Sequence, residues 1–220
     1  MGIFLLPRHK GKFITFEGVE GSGKTTQARL LGEYLSSLRI PVVVTREPGG
    51  TDIGEQIRQI LLDSDNRGMT PETEILLYAA SRAQHIRERI IPALDSGRWV
   101  ICDRYSDATI AYQGYGRGLA LGLIAELNRL VSLELEPDLT ILLDLDVQEG
   151  LKRARKRGEG GNLREGRFEE EGVAFHQRVR EGYQELERRY PERIKTISAE
   201  GSIEEVNRRV IEIVSVLLKS

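Results

Sequence analysis

Short, almost continuously apolar runs recur at five places along the chain, and amphipathic stretches fill the intervals. The runs are Lys12 to Phe16, Pro41-Val42-Val43-Val44-Thr45, Trp99-Val100-Ile101-Cys102, Leu139-Thr140-Ile141-Leu142-Leu143 and Arg193-Ile194-Lys195-Thr196-Ile197. Runs this short and this apolar fit strands covered on both faces of a sheet. Between them, helical spacing covers residues 24–38, 53–62, 71–94, 105–113, 119–134, 147–157, 170–189 and 203–218. The alternation predicts an α/β fold with a five-stranded parallel sheet flanked by helices. Ligands of such folds gather at the carboxyl ends of the strands. The segments just after each run are therefore the places to look for chemistry.

Composition narrows this picture in a few respects. A chain of 220 residues that is 40% hydrophobic and 30% charged suits one domain, residues 1–220, with a full core. A net charge of −2 gives no basic surplus and argues against a nucleic-acid partner. The one cysteine, Cys102, rules out an internal disulfide and sits in an apolar run that suggests buried packing. No apolar stretch is long enough for a membrane span. At the start, the charges follow the apolar patch, the reverse of a secretory signal. Residues 1–11 read as a loose extension of a cytoplasmic protein. Composition sets apart one region, 152–171, dense in Arg, Lys, Glu and Gly.

The most informative stretch follows the first run. Gly18-Val19-Glu20-Gly21-Ser22-Gly23-Lys24-Thr25 fits G-x-x-x-x-G-K-[ST], with a strand pattern before it and a helical pattern from Thr26 onward. The glycines let successive backbone N–H groups face an anion, and the helix N-terminus adds its positive end. Lys24 would reach the β- and γ-phosphates, and the Thr25 hydroxyl would bind Mg²⁺. A nucleoside triphosphate is the expected ligand.

Later segments bear on what receives the phosphate. Arg46, in Thr45-Arg46-Glu47-Pro48-Gly49-Gly50-Thr51, can hold a phosphate by two parallel hydrogen bonds, or be a surface arginine entering a turn. Tyr78 and Arg82 are i, i+4 neighbours, a spacing that can serve a flat base but by itself favours a core tyrosine with a solvated arginine. His85 reads as a surface histidine without a role. Asp103 ends the third run as a carboxylate placed to bind Mg²⁺ opposite Thr25; an ion pair with Arg104 is the competing reading. Region 152–171 holds Arg153 and Arg157 one helical turn apart, followed by glycines. It reads as a lid that carries arginines over transferring phosphates. A solvated helix end or an RNA-binding arm are its alternatives.

Together these residues resemble the thymidylate kinase family through nearly the whole chain. Phe16 to Thr26 is similar to that family's P-loop, and Thr45 to Thr51 to its second block. Asp103-Arg104-Tyr105 with Ala111-Tyr112-Gln113-Gly114-Tyr115-Gly116-Arg117-Gly118 is similar to its third. The resemblance implies a P-loop nucleoside monophosphate kinase fold and γ-phosphoryl transfer from ATP to dTMP, a step toward dTTP. It also implies Mg²⁺ as cofactor with ATP and a homodimer packed through helices.

By the same resemblance, Gly18, Val19, Glu20, Gly21, Ser22, Gly23, Lys24, Thr25 and Thr26 would bind ATP, and Thr25 and Asp103 the metal. Arg46 and Arg104 would grip the phosphate of dTMP. Tyr78 would stack on thymine and Arg82 would bond its edge, with Thr109 and Gln113 near the base or its phosphate end. Tyr112 would lie beneath the sugar and exclude a 2′-hydroxyl, while Glu20 would accept from the 3′-hydroxyl. Some members carry an arginine where this chain has Gly21. The catalytic arginine acting with Lys24 and Arg104 would then come from the lid, as in the bacterial type, with Arg153, Arg155 and Arg157 as candidates. Gly166-Arg167-Phe168-Glu169 resembles a segment that usually begins with Asp, and Ala199 to Glu205 lies where the family's adenine loop does.

Three rivals remain at this level. A kinase for another nucleoside monophosphate, or for a nucleoside, would share the P-loop and lid. A GTP-dependent switch would be expected to carry Asn-Lys-x-Asp, and the chain has no Asn-Lys pair. A nucleic-acid-dependent ATPase would be expected to show a basic face.

Overall fold

The protein is described from a computed structural model, which covers residues 9–158 and 166–219, without the side chains of Arg157 and Lys219. Residues 1–8 of the expected extension, residues 159–165 of the expected lid and the Arg157 side chain lie outside the described residues.

In chain order the elements are β1 (Phe13–Glu17), α1 (Lys24–Ser37), β2 (Val42–Arg46), α2 (Asp52–Leu62), α3 (Pro71–His85), a π-helical stretch (Ile86–Ile90), α4 (Ile91–Asp95) and β3 (Trp99–Asp103). There follow α5 (Ser106–Thr109), a second π-helical stretch (Ile110–Gly116), α6 (Leu121–Ser132), β4 (Leu139–Asp144), α7 (Val147–Gly158), α8 (Val173–Arg189), β5 (Ile194–Ser198), α9 (Ile203–Val214) and a 3₁₀ turn (Leu217–Lys219).

All five strands are parallel, in the order β2-β3-β1-β4-β5. β1 lies at the centre, buried at every position, with Phe16 in register with Asp103 on one side and Ile141 on the other. The chain leaves β1 toward β3 and β2, then returns to place β4 on the opposite side. A crevice opens where the order reverses, at the carboxyl end of β1. Side chains alternate across the strand. Ile14 and Phe16 join a core with Leu31 and Leu35 of α1 and Ile101 of β3, whereas Phe13 packs with Ile86, Leu94 and Val100 on the other side.

Coverage on both faces holds for the three inner strands and fails at the edges. Val44 of β2 is 44% exposed, and β5 buries only Ile194 and Ile197. An edge strand lacks a neighbour on one side, so its apolar run is longer than its burial requires.

The helical boundaries also differ in detail. The stretch expected as one helix over 71–94 changes hydrogen-bond register at Ile86 before Pro92, whose ring nitrogen has no hydrogen to give. The one expected over 105–113 becomes π-helical from Ile110 and runs on to Gly116. The one expected from 170 starts at Val173, because Gly172 takes the extended N-cap conformation.

Two further expectations are overturned. His85 is fully buried, not at the surface. Of the loose extension, residues 9–11 belong to the fold: the Gly11 N–H donates to the Leu94 carbonyl at 2.9 Å, and His9 Nδ1 lies 2.7 Å from Asp95 Oδ1.

Candidate active site

The loop after β1 curls because its glycines stand where a side chain cannot. A Cβ on Gly18 would come within 2.4 Å of the Leu143 carbonyl oxygen, and one on Gly21 within 2.1 Å of that of Gly150; both residues have positive φ. Lys24, at the start of α1, turns its Nζ back into the loop, donating to the carbonyls of Val19 at 2.8 Å and Gly18 at 3.1 Å. Burial and the nearby Arg104 charge lower the Lys24 ammonium to about 8. Beside it the Thr25 hydroxyl donates to Asp103 Oδ2 at 2.5 Å, so an oxygen from α1 meets one from the end of β3.

Arg104 follows Asp103 with φ of +70°, rare for a residue with a side chain. Its guanidinium reaches back over β1 instead of pairing with Asp103. Nη2 donates to Glu20 Oε1 at 2.6 Å and to the Tyr112 hydroxyl at 3.0 Å. Nη1 donates to the Gly18 carbonyl at 3.1 Å and the Tyr183 hydroxyl at 3.3 Å. Burial opposes ionisation of the Glu20 carboxyl, yet Arg104 and Lys24 hold it down to about 2.

Arg82 is buried, only 2% exposed. It donates to Glu47 Oε2 at 2.7 Å, Asn128 Oδ1 at 2.8 Å, and the Tyr105 carbonyl and Thr109 Oγ1 at 3.0 Å each. His85 supports the same carboxylate. A carboxylate oxygen only accepts, so Nδ1 donates to Glu47 Oε1 at 3.0 Å, while Nε2 lies 2.7 Å from Thr45 Oγ1. Burial opposes ionisation of Glu47, but Arg82 and His85 keep it below the ordinary carboxylate range. The i, i+4 spacing of Tyr78 and Arg82 thus conceals a buried, almost fully engaged arginine.

A cleft of about 910 Å³ collects most of the residues singled out from sequence. Glu20, Gly21, Gly23, Lys24, Thr25, Thr26 and Asp103 line one end, and Arg46, Tyr78, Arg82, Arg104, Thr109, Tyr112 and Gln113 line the rest. Gly18, Val19 and Ser22 form the body of the loop behind that wall. Arg46 also pairs with Glu55 at 2.9 Å. The π-helical stretch puts Tyr112 and Gln113 side by side on the cleft.

One expected catalytic side chain points elsewhere. Arg153 donates to Glu149, one turn earlier on α7, at 2.9 Å and to the Ala199 carbonyl at 3.3 Å. It does not line the cleft. Two residues on, Arg155 does.

Residues 16–210 match the family model described as thymidylate kinase. The chain belongs to the thymidylate kinase family. It is 56% identical over 202 residues to the thymidylate kinase of Pelobacter propionicus, covering 91% of this chain and 92% of that one. Against that of Nostoc punctiforme it is 50% identical over 210 residues, covering 95% and 98%. The crystal structure of thymidylate kinase from Ehrlichia chaffeensis superposes with a TM-score of 0.75 at 38% identity, covering 93% of this chain and 98% of that one. The fold is accordingly that of a P-loop nucleoside monophosphate kinase.

Several side chains that shape this thymidylate kinase cleft carried no separable signal. Glu74, 1% exposed, accepts from Gln113 at 2.9 Å, from Arg117 at 3.1 Å and from Arg167 at 2.7 Å. It thereby joins α3, the π-helical stretch and the later part of the 152–171 region. Phe168 packs edge-on against Tyr112, with centroids 5.5 Å apart. Glu17 had one visible clue, a carboxylate ending an apolar strand. Tyr183 had none: with Val179 and Leu186 it reads as core.

Proposed function

We propose that the cleft transfers the γ-phosphoryl group of ATP to dTMP, giving ADP and dTDP. One observation carries the reading. The P-loop lysine, the Thr25–Asp103 pair and the Arg104–Glu20–Tyr112 cluster all open onto one cavity, so donor and acceptor phosphates can meet there. An oxygen of the dTMP phosphate is the nucleophile. It forms a bond to the γ-phosphorus as the bond to the β,γ-bridging oxygen breaks, and the electron pair leaves with ADP. No enzyme nucleophile is needed, and catalysis rests on positioning and charge.

Loop N–H groups and Lys24 would take the donor phosphates, with Lys24 exchanging its carbonyl partners for phosphate oxygens. Thr25 and Asp103 fit Mg²⁺, because their two hard oxygens already touch. Mg²⁺ held there would offset charge on the transferring group. Arg46 and Arg104 would hold the acceptor phosphate, and Arg155 is the described lid arginine placed to approach it. Tyr78 would stack on the base, Arg82 would read its edge from a fixed position, and Thr109 and Gln113 would complete that wall. Tyr112 would bar a 2′-hydroxyl, and Glu20, ionised far below neutral pH, would accept from the 3′-hydroxyl.

The proposed homodimer has support in apolar side chains left exposed on packed helices: Ile53 and Ile60 on α2, Leu76 on α3, Leu123 and Leu130 on α6. Sedimentation equilibrium tests it. No helix among the described residues is long and apolar enough to cross a membrane, consistent with a proposed cytoplasmic location.

ADP release with ATP and Mg²⁺ is the deciding assay, offering dTMP, dUMP, UMP and thymidine as acceptors. Strong turnover with dTMP, less with dUMP and almost none with UMP is expected. Tyr112→Ala should narrow the gap between deoxyribose and ribose acceptors. Turnover confined to another acceptor would overturn the base-site assignment.

A further inference from the structure

Arg104 meets the acceptor cleft on two edges, and these edges differ in what a bound nucleotide would do to them. On the Nη2 edge lie Glu20 and Tyr112. Both are assigned above to the sugar, so this edge exchanges partners when dTMP enters. On the Nη1 edge lie the Gly18 carbonyl and the Tyr183 hydroxyl, neither assigned to the acceptor nucleotide. The guanidinium needs a fixed edge, since its long side chain leaves the strand end through a left-handed backbone conformation with several free torsions.

Tyr183 is well placed to supply it. Its ring, 3% exposed on α8, meets Tyr112 edge-on with centroids 6.4 Å apart. Its hydroxyl donates to Glu17 Oε2 at 2.7 Å. That commits the one hydroxyl proton and leaves the oxygen lone pairs toward Arg104 Nη1. Glu17, fully buried, is fixed in turn by the Tyr105 N–H donating to its other oxygen at 2.7 Å. A closed chain results: β1 holds Glu17, Glu17 aims the Tyr183 hydroxyl, and that hydroxyl seats the residue between Asp103 and Tyr105.

We propose that Tyr183, aimed by Glu17, is a positioning residue that orients Arg104 toward the acceptor phosphate. The proposal deepens the reading of Arg104 given above and rests on it. Tyr183 does not touch substrate; it acts through Arg104.

The test is Tyr183→Phe, which keeps the ring and removes the hydroxyl. A hydrogen bond to a charged group is worth enough to move affinity about tenfold. KM and calorimetric Kd for dTMP should rise by about that factor, with KM for ATP within about twofold. In an Arg104→Met background the same substitution should add almost nothing, because its effect runs through Arg104. A dTMP KM close to wild type, parallel changes in both substrates, or an equal further loss in the Arg104→Met background would overturn the proposal. Should Tyr183→Phe fail to fold, Glu17→Gln carries the same expectation. An amide nitrogen accepts no hydrogen bond, unlike either oxygen of a carboxyl group, so one of the two donors loses its partner and an unchanged dTMP KM there also overturns it. Failure of the proposed reaction would show separately, as wild-type protein without dTMP-dependent turnover.

Discussion

The two ends of the cleft are built on opposite plans. At the P-loop end, Lys24 donates only a short way back along the chain, to Gly18, Val19 and Ser22, all within six residues. The loop is mostly backbone, its shape set by glycines, and its lysine is held by contacts that phosphate oxygens can replace. At the acceptor end, Arg82 reaches across 35 residues to Glu47, 46 to Asn128 and 27 to Thr109. On its fixed edge, Arg104 reaches across 79 residues to Tyr183. Here side chains from separate segments lock one another before any ligand arrives. Locality leaves the lysine adjustable, while long-range pairing makes the acceptor wall part of the core. Damage to one end should therefore read out in catalysis alone, and damage to the other in stability as well.

Arg82→Met is the largest test of that contrast. It strands Glu47, 3% exposed at the side chain, without its main counter-charge. Breaking a buried pair from one side costs about 3–5 kcal/mol. Urea unfolding should show a loss of that order together with weakened dTMP affinity. Unaltered stability would mean that the acceptor wall is not structural. Lys24→Ala should behave in the opposite way. Turnover falls about 10²–10³-fold, as when a positioned charge-stabilising donor is lost, while urea unfolding stays near wild type. An unfolding loss as large as that of Arg82→Met would erase the distinction between the two ends.

The same contrast explains what was legible in the sequence. Strands, helices and P-loop are local patterns, and they could be read to within a few residues. Asp103 and Arg104 were legible as the end of an apolar strand. Which way Arg104 turns was not, because its partners come from the P-loop, the π-helical stretch and α8. His85 misled for a similar reason. A histidine among helical charges looks solvated until Glu47 and Thr45, about 40 residues earlier in the chain, fold against it. Arg153 and Arg155 could not be separated by composition, and only the direction of α7 turns one to Ala199 and the other to the cleft.

Glu17 offers the finest test, since it stands between the two ends: it closes β1 just before the P-loop and aims Tyr183 at Arg104. Burial, then the facing Asp107 carboxylate, raises its carboxyl from 4.5 to about 8, against the opposing pull of Arg104, Tyr183 and the Tyr105 N–H. In the unfolded chain the group has lost its proton well below neutral pH, while the folded chain keeps it. The folded state then binds more protons, so the contribution of Glu17 to stability is fully present below pH 4.5 and declines as pH rises toward 8. One proton corresponds to about 1.4 kcal/mol per pH unit. Glu20 and Lys24 do not disturb the interval from pH 6 to 7, since they titrate in the folded state near 2 and 8. His176 is lowered by burial and contributes equally to both proteins. Glu17→Gln cannot titrate. Between pH 6 and 7 its unfolding free energy should change by about 1.4 kcal/mol less steeply in the falling direction than that of wild type. Parallel slopes would mean that Glu17 is ionised in the folded protein, and that the Arg104 charge outweighs its burial.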